Sequence, residues 1–335
     1  MIRSYQGIRV IAMLIIFLFH AGIIPNGIFS VTLFFILSGF FMYYKNFEKS
    51  CNTTFFQDLI WGIKKIKRLY PVHLITFLIS IPIRYKWISN HTISEIVIMG
   101  ISNLLLLQTL TPKYALSFNN LSWYLSVTLF CYMFSKSLIK LINKLKINEV
   151  TLIIYIYIYI WVTQIVLAII LPLFSENYNY IFYMSPYFRI LDFYMGMLLC
   201  KKYLNRRVVP RNCTIIELCI LVSFVIVYGV SFSLPSQFTR GIVYSPIFLI
   251  GIYYISYEKG LFSKILKNNV LIKLSKISFE FYMIHELVLI VFRRILYFEG
   301  MGWLKANIIT AIPAFIVSYI LAKILSELKI ENVVT

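Results

Sequence analysis

An all-α, polytopic membrane protein of about ten transmembrane helices, plus one re-entrant or interfacial segment, is the fold class this sequence predicts. Three observations carry that expectation. Hydrophobic residues make up 60% of the 335, against roughly 45–50% in soluble globular domains. Charged residues fall to 13%, about half the usual share of about 25%. The 32 Lys+Arg, set against 13 Asp+Glu, sit in short stretches between long apolar runs. A net charge of +19 spread this way differs from a nucleic-acid-binding surface, whose cations cluster on a soluble, charge-rich face. No nucleic-acid partner is expected, and membrane lipid is.

Eleven segments approach the ~20 apolar residues that a spanning helix needs. They are 7–25, 27–46, 69–85, 93–111, 121–141, 149–173, 187–203, 213–233, 241–257, 279–297 and 304–325. The first reads as a retained helix and not a cleaved leader: it lacks a small-residue cleavage site, and the second run follows at once. In the sixth, Ile153–Trp161 alternates Ile with Tyr155, Tyr157 and Tyr159, which in isolation suggests a strand. Its place within a long apolar run makes helix the better reading, because an open strand edge cannot face lipid. Four cationic connections divide the rest: 45–68 (Lys45, Lys49, Lys64, Lys65, Lys67, Arg68), 136–146, 201–211 (with Arg206, Arg207 and Arg211) and 259–276. Cytoplasmic loops carry the Lys/Arg excess, so all four belong on one side. Two crossings between Arg68 and Asn120 would break that parity, so one of 69–85 and 93–111 is expected not to cross. Ten crossings with both termini cytoplasmic result, with Arg293 and Arg294 as a contrary sign near the outer face. No domain-sized polar stretch interrupts the pattern, and residues 1–335 are expected to form a single membrane-embedded domain.

The five cysteines, Cys51 among them, form no close pairs and no disulfide framework is expected. The four histidines are scattered without ligand spacing, so no metal site is expected. The chain carries no H-E-x-x-H, Walker loop, G-x-S-x-G or dinucleotide fingerprint, which excludes an ATP-driven pump acting on its own.

An ionisable residue inside a span costs roughly 2.5–3.5 kcal/mol on insertion scales, so each is a functional candidate. Arg9 and His20 are eleven residues apart. On a helix that is ~1100°, some 20° from three full turns, with a rise of about 16 Å. Both therefore share one face, with Arg9 near the cytoplasmic surface and His20 deep. A packed histidine and a snorkelling arginine explain each alone; together they read as a deep base and a shallow cation along one groove. Lys64-Lys65-Ile66-Lys67-Arg68 either obeys the positive-inside rule or docks a polyanion such as a nucleotide pyrophosphate. Trp123 fits an interfacial aromatic belt. Arg189 and Asp192, three apart, can neutralise one another on one helix face. His285 and Glu286 are adjacent inside a span and so do not share a face.

Six short stretches, in order along nearly the whole chain, resemble motifs of the acyltransferase 3 family of bacterial membrane O-acyltransferases. They are Arg9-x10-His20, then Val31 to Phe40, then Lys65-Ile66-Lys67-Arg68 with Tyr70-Pro71, Trp123 to Val127, Ser185 to Gly196, and Ile277-Ser278-Phe279 with Tyr282 and His285. The resemblance implies about ten spans with both termini inside the cell, in a bacterial inner membrane. It implies an acyl-CoA-dependent O-acetyltransferase that binds no permanent cofactor and takes acetyl-CoA as donor and a glycan hydroxyl as acceptor, with polysaccharide-assembly proteins as partners. His20 then serves as catalytic base or acyl carrier, Arg9 as a catalytic cation, Lys65 and Arg68 as coenzyme A contacts, and Trp123 and His285 as acceptor-binding residues.

Four positions depart from the pattern. Thr32 stands where the family often has Asp, Lys65 replaces an Arg, Asp192 replaces Glu, and Thr128 stands where many members have Glu. Lys65 keeps the charge without the planar fork of Arg. The rival reading is a transporter or flippase for a lipid-linked glycan, whose anionic substrate would suit the same cations. Against it stands the absence of any internal repeat or matched pair of broken spans.

Overall fold

The computed structural model describes residues 2–48, 53–170, 178–206, 208–235, 238–239, 241–296 and 302–327. Lys49, Cys51 and Arg207 lie outside the described residues. Sixteen α-helices follow one another among the described residues, and no strand. They are α1 (Ser4–His20), α2 (Ser30–Asn46), α3 (Phe55–Ile66), α4 (Tyr70–Ile83), α5 (Tyr85–Ile88), α6 (Ile93–Leu104), α7 (Trp123–Lys144) and α8 (Glu149–Ile170). The second half comprises α9 (Tyr178–Tyr183), α10 (Pro186–Leu204), α11 (Cys213–Ser231), α12 (Ser245–Ile255), α13 (Leu261–Leu266), α14 (Asn269–Ser275), α15 (Ser278–Ile295) and α16 (Trp303–Glu327). The Ile/Tyr alternation lies inside α8 and is helical.

Four stretches are long and apolar enough to cross a membrane: Asn120–Lys144, Glu149–Leu167, Cys213–Ser231 and Trp303–Glu327. Helices α3 and α4 make a fifth if their 61° bend is counted as one broken span. The expected ten is not reached by this measure, because several helices stop before their apolar runs do. Helix α1 ends at His20, where Gly22 takes a positive φ of 75° and turns the chain; glycine adopts that conformation at helix ends without the penalty a Cβ imposes. Helix α12 has only 11 residues. On the outer faces of α8, α11 and α16, Ile154, Val225 and Ile312 are exposed, a surface that lipid matches and water does not.

The core is built around α2 and α10. A Cβ on Gly39 would overlap the Phe193 carbonyl, and one on Gly196 would overlap the Ile36 carbonyl. The two helices thus lie backbone to backbone through reciprocal glycines, as small residues permit in apolar bundles. Tyr5 anchors α1 on α12 by donating to the Ile252 carbonyl at 2.8 Å.

Helix α3 falls inside a stretch read from sequence as a connection. A capping box between Thr54 and Gln57 starts it, and Gly62 packs against the backbone of Tyr132 and Met133 in α7. At its other end Ile66 joins Leu125, Leu129 and Phe279. Helix α4 continues from there to Arg84. Helix α6 then runs back antiparallel to α4, with Tyr70 donating to the Leu104 carbonyl at 2.8 Å and His73 bonded to the Asn103 carbonyl at 2.9 Å. The chain reverses at 105–110, where the Ser126 hydroxyl holds the Leu106 carbonyl and bonds Thr109. It returns to the end of α6 it came from, where Lys113 meets Glu95 at 2.8 Å. Residues 93–113 therefore form a hairpin, whereas 70–83 runs straight on.

Candidate active site

A cavity lies where the end of α1 meets α15 and the start of α7. It encloses about 190 Å³, below the roughly 300–1,000 Å³ of sites that swallow a whole ligand, and so suits the reacting end of a substrate. Helix α1 contributes Ile16, Phe19 and His20; the loop into α7 contributes Leu116, Asn120 and Leu121, and α7 itself Trp123. Ile28 and Val31, Tyr183 and Met184, and Tyr282 and Glu286 complete the wall.

Of the six residues singled out from sequence, His20 and Trp123 line this cavity. Because α1 ends at His20, the imidazole sits on the last turn, and its own carbonyl accepts from Arg293 Nη2 at 2.5 Å. That contact explains a cation at the end of α15: it meets the negative end of the α1 dipole. His285 lies directly behind, its ring centroid 5.3 Å from that of His20 and inclined at 69°. His285 is buried, stacked on Phe281 at 5.7 Å. Its Nδ1 lies 3.1 Å from the Phe281 carbonyl. A carbonyl only accepts, so Nδ1 carries the hydrogen and Nε2 is left as the acceptor; among the described residues Nε2 has no partner. His285 therefore backs His20 and is not among the residues lining the cavity.

Trp123 is buried against Tyr183, centroid to centroid 4.8 Å. Tyr183 is held by Arg189, whose Nε donates to its carbonyl at 2.7 Å. The same guanidinium donates to Thr32 Oγ1 at 2.8 Å and to Asp192 Oδ2 at 2.6 Å. The two departures at Thr32 and Asp192 thus meet on one arginine, one offering a hydroxyl and the other a carboxylate. Thr128 spends its hydroxyl on the Tyr124 carbonyl of its own helix.

Arg9, Lys65 and Arg68 lie apart from the cavity. Arg9 reaches Ser278 Oγ at 3.5 Å at the start of α15. Lys65 lies 4.7 Å over the Trp61 ring, which Lys136 also faces at 5.2 Å; Arg68 is exposed just past α3. The end of α3 and the Arg9 contact are neighbours, since Phe279, which packs with Ile66, follows Ser278. The cations therefore gather at the Arg9 level of α1, about 16 Å of helix rise from His20.

Sequence reasoning marked Glu286 beside His285 but missed the polar unit it forms with Asn120, on the wall of the same cavity, and with Arg84. Glu286 Oε1 accepts from Asn120 Nδ2 at 2.9 Å and from Arg84 Nη2 at 3.4 Å. The adjacency of Glu286 to His285 was the one signal available. Among the described residues no three His, Cys, Asp or Glu side chains converge in a way that could hold a metal ion.

The acyltransferase 3 family, described as "Acyltransferase domain", matches residues 2–327 of this chain. A curated relative, "Acyltransferase MdmB" of Streptomyces mycarofaciens, is 25% identical over 275 residues, covering 78% of this chain and 68% of its own. No solved structure is significantly similar.

Proposed function

The chain belongs to the acyltransferase 3 family, and from that premise we propose that this membrane acyltransferase is an O-acetyltransferase. It moves an acetyl group from cytoplasmic acetyl-CoA to a hydroxyl of a cell-envelope or exported glycan. The observation that carries the proposal is His20 on the wall of a cavity that also holds Trp123 and is backed by His285.

A hydroxyl is a weak nucleophile until a base takes its proton, and imidazole, with an unperturbed pKa near 6.5, is suited to that task. His20 accepts the proton of the acceptor hydroxyl as its oxygen bonds to the thioester carbonyl carbon. The tetrahedral intermediate collapses with cleavage of the C–S bond. The proton held on His20 passes to the departing thiolate, and ester and free coenzyme A result. The His285 ring packs at 69° against the His20 ring, 5.3 Å between centroids, which limits how that imidazole can turn. Trp123 and Tyr183 present aromatic faces to a sugar ring.

Acetyl-CoA is a substrate here, and no cofactor is resident. Its phosphates pair with Lys65, Arg68 and Arg9, while the extended pantetheine arm spans the distance to His20. The separation of these cations from the cavity supports that division, since the nucleotide and the thioester lie at opposite ends of the donor. In this reading the cationic end faces the cytoplasm with both termini, the bacterial inner membrane holds about ten crossings, and the 93–113 hairpin is the segment that does not cross. Polysaccharide-assembly proteins deliver or receive the acceptor.

Equilibrium binding of acetyl-CoA to protein in nanodiscs, with release of free thiol followed in parallel, tests the proposal. Saturable binding and slow thiol release, accelerated by a glycan acceptor, are expected. A protein that binds no acetyl-CoA refutes the donor assignment and leaves glycolipid transport as the reading to pursue.

A further inference from the structure

Glu286 and Asn120 hold each other in one orientation. Asn120 Nδ2 donates to Glu286 Oε1 at 2.9 Å; a carboxylate cannot donate in return, so the amide flip is fixed by the bond itself. Two oxygens are left over, Glu286 Oε2 and Asn120 Oδ1. Both are buried, and neither has a hydrogen-bond partner among the described residues. Both residues line the same cavity as His20. Arg84 Nη2, 3.4 Å from Oε1, pairs with the carboxylate through that same oxygen.

Buried polar groups in native proteins are almost always hydrogen-bonded, to protein or to water, so these two oxygens call for an occupant: water in the free site and the acceptor once it is bound. Both are acceptors, which demands donors from that occupant. The rest of the wall is aromatic and aliphatic, with Trp123, Tyr183 and Tyr282, and suits the carbon face of a ring. An acceptor bearing one hydroxyl, given up to His20, would leave both oxygens unpaired.

We propose that Glu286 and Asn120 form a specificity-determining subsite that reads a second hydroxyl, adjacent to the one acylated. This rests on the acyltransferase reading and narrows it: the acceptor is a ring carrying neighbouring hydroxyls, and a lone alcohol is discriminated against. The second hydroxyl donates to Glu286 Oε2 or Asn120 Oδ1 and holds the first one toward His20. Glu286→Gln removes the charge and presents an amide N–H₂ where Oε2 now accepts.

The test uses the full chain in nanodiscs with acetyl-CoA and two matched probes, trans-1,2-cyclohexanediol and cyclohexanol, reading coenzyme A release above the rate in water. Wild type is expected to favour the diol in kcat/KM by about 10- to 150-fold, the range for one hydrogen bond to a charged group. In Glu286→Gln that ratio falls to within about threefold of unity. A merely structural role would lower both probes alike and leave the ratio intact, which would overturn the proposal. Equal use of the two probes by wild type would overturn it too, with acyl transfer still standing. No coenzyme A release by wild type under any condition would remove the acyltransferase reading and this inference together. If Glu286→Gln does not elute as a monodisperse species, Asn120→Ser carries the same test, with the same loss of ratio expected.

Discussion

Replacing Arg189 by Met attacks the contact that fixes the back of the cavity. Arg189 and Asp192 are both buried, and the guanidinium makes three short bonds: 2.6 Å to Asp192, 2.8 Å to Thr32 and 2.7 Å to the Tyr183 carbonyl. Methionine keeps the apolar stem of the arm but none of the donors. It leaves the Asp192 carboxylate buried without its cation, a loss of about 3–5 kcal/mol for pairs of this kind. Orphaning the Tyr183 carbonyl costs a further ~1–3 kcal/mol that does not simply add. The assay is reversible unfolding in mixed micelles titrated with SDS, comparing wild type, Arg189→Met, Asp192→Leu and the double variant. Arg189→Met is expected to lose at least about 3 kcal/mol. The double variant, with no charge left unpaired, is expected to recover about 2 kcal/mol or more of that. A single variant costing under ~1 kcal/mol, or a double variant no better than the single, would refute the reasoning.

Three further outcomes follow from the same structure. Gly39→Ala forces a Cβ into the Phe193 carbonyl and is expected to cost about 1–3 kcal/mol or more by overpacking; the SDS titration reads it, and a neutral result would mean α2 and α10 are not so close. Asp58 lies in the cationic connection 45–68. Burial raises its carboxyl, but the bonds from Lys140, Thr53 and Ser137 outweigh that and hold it below the usual carboxylate range. A depressed carboxyl stabilises the fold above its unfolded pKa and stops doing so as pH falls through the folded value. Asp58→Asn is therefore expected to be about 1–3 kcal/mol less stable than wild type at pH 7, and the gap to close as pH drops below about 4. Finally, Lys65→Ala/Arg68→Ala is expected to raise the KM for acetyl-CoA several-fold with little change in kcat, and to flatten the salt dependence of KM; an unchanged KM would place the phosphates elsewhere.

Much of the fold was legible because lipid leaves a chain few choices: apolar runs near α7, α8, α11 and α16 carry their helices on the sequence itself. The loop charges set 69–85 and 93–111 apart from the other runs, and there α4 meets α3 at a 61° bend and α6 has only 12 residues. Helix ends were less legible. The apolar run of α1 continues past His20, and only the backbone freedom of Gly22 marks where the helix stops. Helix α3 was hidden by its charges, although Thr54-x-x-Gln57 carries a capping-box signature.

At the site, Trp123 was legible through the resemblance of its motif, and His20 as an ionisable residue inside an apolar run. His285 was noticed for the same reason, but its place behind His20, 5.3 Å away, depends on how α15 lies against α1. The Glu286 unit was out of reach, since its partners Asn120 and Arg84 lie 166 and 202 residues away in sequence. No local periodicity encodes such a pairing. Thr32 and Asp192 looked like two unrelated departures until Arg189 joined them.

The central claim is that His20 moves the acceptor's proton. Its most direct test is the rate of thiol release from acetyl-CoA by wild type and His20→Ala, in nanodiscs, with donor binding measured on the same samples. The account expects His20→Ala to bind acetyl-CoA as wild type does and to lose about 10²- to 10⁴-fold in turnover, the contribution typical of a positioned base. A variant that binds and turns over at the wild-type rate would contradict it.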